Sequence, residues 1–253
     1  NYVEGGSYLG LAAWLPAAVA VLSGLARTLV PDSRHATTQS KIDRPRPVHL
    51  WFFAALAPVS LLFAFGTPLY ALLFYGLPGW DQLHSPFRWV FPFTLSMAVL
   101  AGMGLHELLS PAGDGKTGKG RDWTSLLVQS VAALAGAAGL AALAVVAVSA
   151  ARPEPFIALG QRLVDGSDLA QMAFRDGRMF WSYQAMNLAR FGLFALLGAG
   201  LLWMMARRGL SPTTGRMLAA ALIAAAVLDL FVAHGRFNPA ADIALSPLNA
   251  EAQ

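Results

Sequence analysis

Three side chains that could handle a phosphate or a proton lie close together between two tryptophans. Asp81, His84 and Arg88 all fall between Trp80 and Trp89. The planar guanidinium of arginine donates paired hydrogen bonds to a phosphate, and an aspartate or histidine beside it could move a proton. Tryptophan and arginine are also common where a protein crosses a membrane surface, the arginine reaching toward lipid head groups. The segment therefore predicts either a phosphate site centred on Arg88 or a simple contact with the lipid surface.

Two opposite charges lie inside long apolar runs further along the chain. Arg190 and Asp229 lie at similar depths of two neighbouring predicted spans that run in opposite directions. A charge inside a membrane is costly, and pairing it with an opposite charge lowers that cost. We expect an intramembrane ion pair, which either locks the two helices together or lines a cavity open to the outside.

The composition indicates that both sets of residues belong to a membrane protein. Hydrophobic residues make up 56% of the 253 residues and charged residues only 13%, about half the share of a soluble domain. The mean hydropathy is +0.53. The chain has no cysteine, which removes thiolate catalysis and cysteine-bound metals. We expect an integral membrane protein with no cofactor, no metal site and no nucleic-acid partner.

Apolar runs long enough to cross a bilayer recur along the whole chain. A spanning helix needs about 20 mostly apolar residues. The sequence predicts one all-α transmembrane domain over 1–253, a polytopic bundle of about six spans. The predicted spans are 8–30, 49–65, 87–109, 123–150, 183–205 and 217–234. Because Gly66 and Pro68 interrupt the second apolar run, Leu69–Trp80 is predicted to be a re-entrant or interfacial piece.

The distribution of basic residues predicts the orientation of these spans. Eleven of the 18 Lys and Arg residues fall in or beside the loops after the first, third and fifth spans, and six lie on the other side. Cytoplasmic loops are usually the more basic ones. Both termini of the segment are therefore expected outside the cytoplasm.

The outer loop 151–182 mixes apolar side chains with four arginines and four acids. This pattern predicts a short amphipathic helix at the outer interface, broken at Gly166 and Gly177. A solvated lid over the helix ends is the alternative. Neither interpretation identifies a ligand.

Several short stretches carry a resemblance to a known family. They are Asn1-Tyr2-Val3-Glu4, Tyr8-Leu9-Gly10, Phe65-Gly66-Thr67-Pro68-Leu69-Tyr70, Leu77-Pro78-Gly79, Phe87-Arg88, Val99-Leu100-Ala101-Gly102-Met103-Gly104-Leu105, Leu228-Asp229-Leu230-Phe231 and Phe237-Asn238-Pro239. Their order resembles the later spans of the bacterial YfhO-like family, which is grouped with the GT-C class of membrane glycosyltransferases. The resemblance implies transfer of a sugar from a polyprenyl-phosphate donor to an envelope acceptor at the outer face of the cytoplasmic membrane.

The resemblance also implies where a substrate would bind. The candidate substrate-binding residues at the outer face are Glu4, Asp81, His84, Arg88, Arg236 and Asn238. The catalytic acid of such enzymes generally lies in the first outer loop, whereas this chain resembles only the later spans. We therefore expect this chain to be a segment of a longer protein, with its catalytic residues unknown. Membrane lipid, a polyprenyl-phosphate sugar donor and other membrane subunits are the expected partners. The alternative is a non-catalytic structural subunit of a larger membrane complex.

Overall fold

The computed structural model describes residues 10–29, 47–80, 86–110, 119–207 and 210–234. Every regular element in these ranges is helical, as the apolar runs predict, because a helix satisfies its backbone hydrogen bonds internally where no water is available. The α-helices are α1 Leu11–Leu29, α2 Pro47–Ala64, α3 Pro68–Gly76, α4 Val90–Leu109, α5 Lys119–Ala151, α6 Pro153–Asp165, α7 Asp168–Ala173, α8 Gly177–Met205 and α9 Pro212–His234, and a 3₁₀ turn Pro86–Trp89 precedes α4.

Five of these helices are long and apolar enough to cross a membrane. They are α1, α4 with its 3₁₀ turn, α5, α8 and α9. The sixth candidate is the pair α2 and α3, whose axes differ by 82°. An all-α polytopic bundle with five or six candidate spans is thus confirmed.

The predicted break after the second span lies where the sequence places it. Gly66 has φ of +62°, a conformation that glycine adopts without strain. The Gly66 N–H donates to the Phe63 carbonyl at 3.0 Å and the Thr67 N–H to the Leu62 carbonyl at 3.2 Å. These two bonds form a Schellman motif that ends α2. Pro68 then starts α3 in a new direction.

The contacts between helices establish which ends of the bundle lie together. Trp14 meets Phe93 near the starts of α1 and α4, with ring centroids 6.0 Å apart, and Arg27 pairs with Glu107 near their ends. These two helices therefore run in the same direction. We call the end where α4 begins the Arg88 end and the opposite one the Arg27 end.

The longest helix pair, α5 with α8, is held together by small residues. A Cβ atom added to Gly139 would lie 2.9 Å from the Gly192 carbonyl oxygen, and one added to Gly136 would lie 3.6 Å from Ala199 Cβ. As the residue number increases along α5, the number of the residue it meets on α8 decreases, so the two helices are antiparallel. Close approach of backbones through glycine and alanine is the usual basis of helix packing in lipid.

The predicted outer loop is largely helical and shorter than expected. α6 ends at Gly166 as predicted, but Gly177 begins α8 instead of breaking a loop helix. The reason is local, because Asp176 Oδ1 accepts a hydrogen bond from the Met179 N–H at 2.7 Å and caps the helix. Residues 177–182 therefore belong to α8. α6 packs against the first turn of α8, where the Gly177 N–H donates to Gln161 Oε1 at 2.7 Å.

Candidate functional site

Arg88 lies at the junction between α2, α3 and α4. It is the third residue of the 3₁₀ turn Pro86–Trp89, and its side chain is exposed. Within the described ranges its guanidinium has neither an ion-pair partner within 4.0 Å nor a hydrogen-bond partner. Among the described residues no carboxylate pairs with this guanidinium, and a guanidinium can donate several hydrogen bonds to an anion.

Aromatic side chains surround the base of this turn. The rings of Trp80 and Trp89 stack with centroids 6.1 Å apart and planes 24° apart. Trp89 also meets the edge of Phe63 at 4.7 Å, and Phe63 meets Tyr70 at 6.2 Å. We call Phe63, Tyr70, Trp80 and Trp89 the aromatic cluster. It connects the end of α2, the start of α3 and the turn that carries Arg88.

One buried polar atom of the aromatic cluster has no hydrogen-bond partner among the described residues. It is the Trp80 indole Nε1, and a buried indole N–H usually finds a partner. The side chain as a whole is only partly buried. The indole N–H is thus enclosed in the aromatic cluster, on a ring that stacks against the last residue of the Arg88 turn.

Asp229 is the most deeply buried charged residue in the described ranges, with 2% of its surface exposed. Its Oδ2 accepts a hydrogen bond from the Leu11 N–H at 2.6 Å. Leu11 is the first residue of α1, where backbone N–H groups have no intrahelical acceptor and the helix dipole favours a negative charge. Asp229 therefore caps α1 from a neighbouring helix.

Gly10 makes this cap possible. It has φ of +73°, and a Cβ atom there would lie 3.6 Å from Asp229 Oδ2 and 3.4 Å from the Ala226 carbonyl oxygen. The glycine lets the chain enter α1 directly against α9. The sequence offered a signal for this contact, because α1 has no acidic residue in its first turn and glycine precedes it.

Arg190 has a different environment from the one that the sequence predicts. It is partly buried on α8. Between described residues, the ion pair within 4.0 Å is the one that joins Arg27 to Glu107, and the predicted contact of Arg190 with Asp229 is not found. The structure instead gives Asp229 a partner in the Leu11 N–H, since the start of α1 reaches α9 at this depth.

The other candidate substrate-binding residues cannot be placed around Arg88. Glu4, Asp81, His84, Arg236 and Asn238 lie outside the described residues. Among the residues that are described, no three His, Asp or Glu side chains are grouped so that they could hold a metal ion. What the described part of the site offers is one exposed guanidinium beside a cluster of aromatic side chains.

Comparison with known proteins identifies no relative. The chain matches no family model, no curated protein and no solved structure.

Proposed function

We propose that this chain is part of a membrane glycosyltransferase-like protein that holds a polyprenyl-phosphate-linked sugar at the Arg88 end. In this proposal the Arg88 end faces the outside of a bacterial cytoplasmic membrane, and the acceptor is an envelope glycan. The orientation rests on the basic residues, most of which fall in the loops of the opposite side.

The exposed guanidinium of Arg88 is the observation that carries the proposal. It lies on a turn at the start of a candidate span, and in the proposed arrangement this puts it near the lipid phosphates. An arginine fork can donate two parallel hydrogen bonds to one phosphate, which fixes the orientation of the group as well as its position. A carrier lipid would then be held by its phosphate beside the aromatic cluster.

An apolar surface that could take the carrier tail lies on α3, which the aromatic cluster joins to the turn that carries Arg88. Leu69, Leu72 and Tyr75 of α3 are exposed, and no charged residue occurs between Leu50 and Trp80. A long isoprenoid chain needs an apolar path that is continuous with the lipid. The exposed surface of α3 could supply such a path.

The chemical contribution of Arg88 follows from the bond that must break. In sugar transfer, the bond between the sugar and the phosphate oxygen breaks, the acceptor oxygen bonds to the sugar, and negative charge increases on the departing phosphate. A fixed positive charge stabilises the transition state, in which this negative charge develops, more than it stabilises the bound substrate. Arg88 is proposed to hold the leaving phosphate, and no described residue is assigned the role of the catalytic base.

The test measures binding of a carrier lipid by photo-crosslinking. The full chain in nanodiscs would be exposed to a diazirine-labelled undecaprenyl phosphate, and crosslinked peptides would be mapped by mass spectrometry. We expect crosslinks between Pro68 and Trp89, a loss of at least tenfold with Arg88→Gln, and partial loss with Arg88→Lys because the paired donors are gone. Arg175→Gln, another exposed arginine in the described ranges, is the matched control and should bind as the unmodified chain does.

Two results would contradict the proposal. One is equal crosslinking by undecaprenol, which has the same tail and no phosphate. The other is unchanged binding in Arg88→Gln. Either result would favour the alternative, a structural subunit whose Arg88 only contacts lipid head groups.

A further inference from the structure

α3 contains no charged residue and has a right-angle bend before it, and its neighbours show where both of its ends lie. The 82° bend at Gly66 turns α3 away from the axis of α2. If α2 crosses the membrane, α3 cannot continue that crossing. It must run nearly parallel to the membrane plane.

The aromatic cluster shows that the chain returns to the same end of the bundle after α3. Phe63 lies in the last turn of α2 and meets Trp89, which directly precedes α4. Trp80, which follows α3, stacks on the same Trp89. Both ends of the α3 segment are therefore at the Arg88 end, and α2 must make the crossing without it.

The outward side of α3 continues an exposed apolar surface. Leu62 and Phe65 at the end of α2 are 44% and 76% exposed, and on α3 Leu72 and Tyr75 are 70% and 86% exposed. The inward side carries Tyr70, which is 8% exposed and meets Phe63. α3 thus has one face on the protein and one apolar face that continues the exposed apolar side of α2.

We propose that α3 is an in-plane membrane helix at the Arg88 end, with the acyl chains of bilayer lipids covering Leu72 and Tyr75. Lipid fits this face better than water because the whole stretch from Leu50 to Trp80 lacks a charged side chain. A helix at a water boundary ordinarily carries charges on its wet face. The inference does not depend on the proposed sugar transfer.

The test uses nitroxide labels on single cysteines, which is straightforward in a chain without natural cysteine. The labelled chain would be placed in vesicles of phosphatidylcholine and phosphatidylglycerol. Accessibility to oxygen, which concentrates in lipid, and to a water-soluble nickel chelate gives the depth of each label. We expect Leu72→Cys and Tyr75→Cys to be open to oxygen and shielded from nickel, whereas Tyr70→Cys should be shielded from both.

A pair of positions seven residues apart distinguishes an in-plane helix from a crossing one. Leu69 and Gly76 lie on the same face of α3, and an added side chain at Gly76 meets nothing within 4 Å. In an in-plane helix the two labels should differ in membrane depth by about 2 Å. In a spanning helix, which rises 1.5 Å per residue, they should differ by about 10 Å. Leu197→Cys and Met204→Cys, both 45% exposed on α8, are the matched spanning pair.

Each other outcome would overturn the inference. A depth difference near 10 Å between positions 69 and 76 would make α3 part of a crossing. Nickel access at Leu72→Cys and Tyr75→Cys would mean that water covers the face. Shielding of both positions from oxygen and nickel would mean that a protein surface covers it.

Discussion

Replacing Gly104 by alanine should disrupt the contact between α1 and α4. A Cβ atom at this position would lie 2.5 Å from the Pro16 carbonyl carbon and 3.1 Å from its Cα, with the carbonyl oxygen closer still. These are backbone atoms within α1, so no side-chain rotation can make room. The two helices would have to separate along a contact that includes the buried residues Phe93 and Leu100.

The expected loss of stability for Gly104→Ala is about 3 kcal/mol, the upper part of the range for inserting one carbon into a packed core. Gly102→Ala is the control, since the same atom there meets nothing within 4 Å. The control should be neutral or slightly stabilising, because alanine favours a helix over glycine by up to about 1 kcal/mol. Both variants share a helix and a substitution, so their difference isolates the contact with Pro16.

The assay is reversible unfolding of the full chain in mixed micelles by sodium dodecyl sulfate, followed by circular dichroism. A lower midpoint for Gly104→Ala alone is the expected result. If the two alanine variants unfold at the same detergent fraction, the close approach of α1 and α4 is refuted.

Two further predictions use the same unfolding assay. Gly192→Ala should lower the stability of the protein by about 2 kcal/mol, because the added Cβ would lie 2.6 Å from Leu143 Cγ. Gly200→Ala is the control and should not lower it, because a Cβ there meets nothing within 4 Å. Equal effects of the two substitutions would contradict the packing of α5 on α8. Asp229→Leu should cost about 2 kcal/mol by leaving the Leu11 N–H without this acceptor. Adding Arg190→Leu should change stability additively within about 0.5 kcal/mol, and a larger coupling would indicate that the two charges pair.

The spans were predictable because hydrocarbon imposes one strong requirement on the chain. A backbone without water must form helices, and about 20 apolar residues suffice to mark each one. The break at Gly66 was predictable for a local reason, since glycine followed two residues later by proline ends a helix and cannot continue it. Both features depend on neighbouring residues alone.

The helix ends were less predictable, because charge marks the end of the apolar layer and not the end of the helix. The sequence predicts that the fifth span starts at 183, yet α8 starts at Gly177 and includes Arg178. The sixth span is predicted from 217, yet α9 starts at Pro212 and includes Arg216. Both helices begin beside capping side chains, Asp176 and Ser211, which accept hydrogen bonds from the first turn.

The partner of a buried charge could not be read from the sequence at all. Matching depth on neighbouring spans suggested Arg190 for Asp229, but depth says nothing about which face of a helix a side chain occupies. The structure shows α9 in contact with α1 as well as with α8. At the start of α1 the Leu11 N–H lacks an acceptor within its own helix. The start of a helix attracts a carboxylate much as a positively charged side chain would.

This position of Asp229 limits the role it can have in the proposed transfer. A carboxylate that is 2% exposed and bonded to the first N–H of α1 is held by the fold and has little access to a substrate. Asp229 is therefore best understood as a residue that positions α1. Arg88 is exposed and has no ion-pair partner among the described residues, as is also true of Arg175, and its guanidinium can donate hydrogen bonds to an anion. In the proposed transfer Arg88 would hold the phosphate of the lipid carrier, and no described residue is assigned as the proton acceptor.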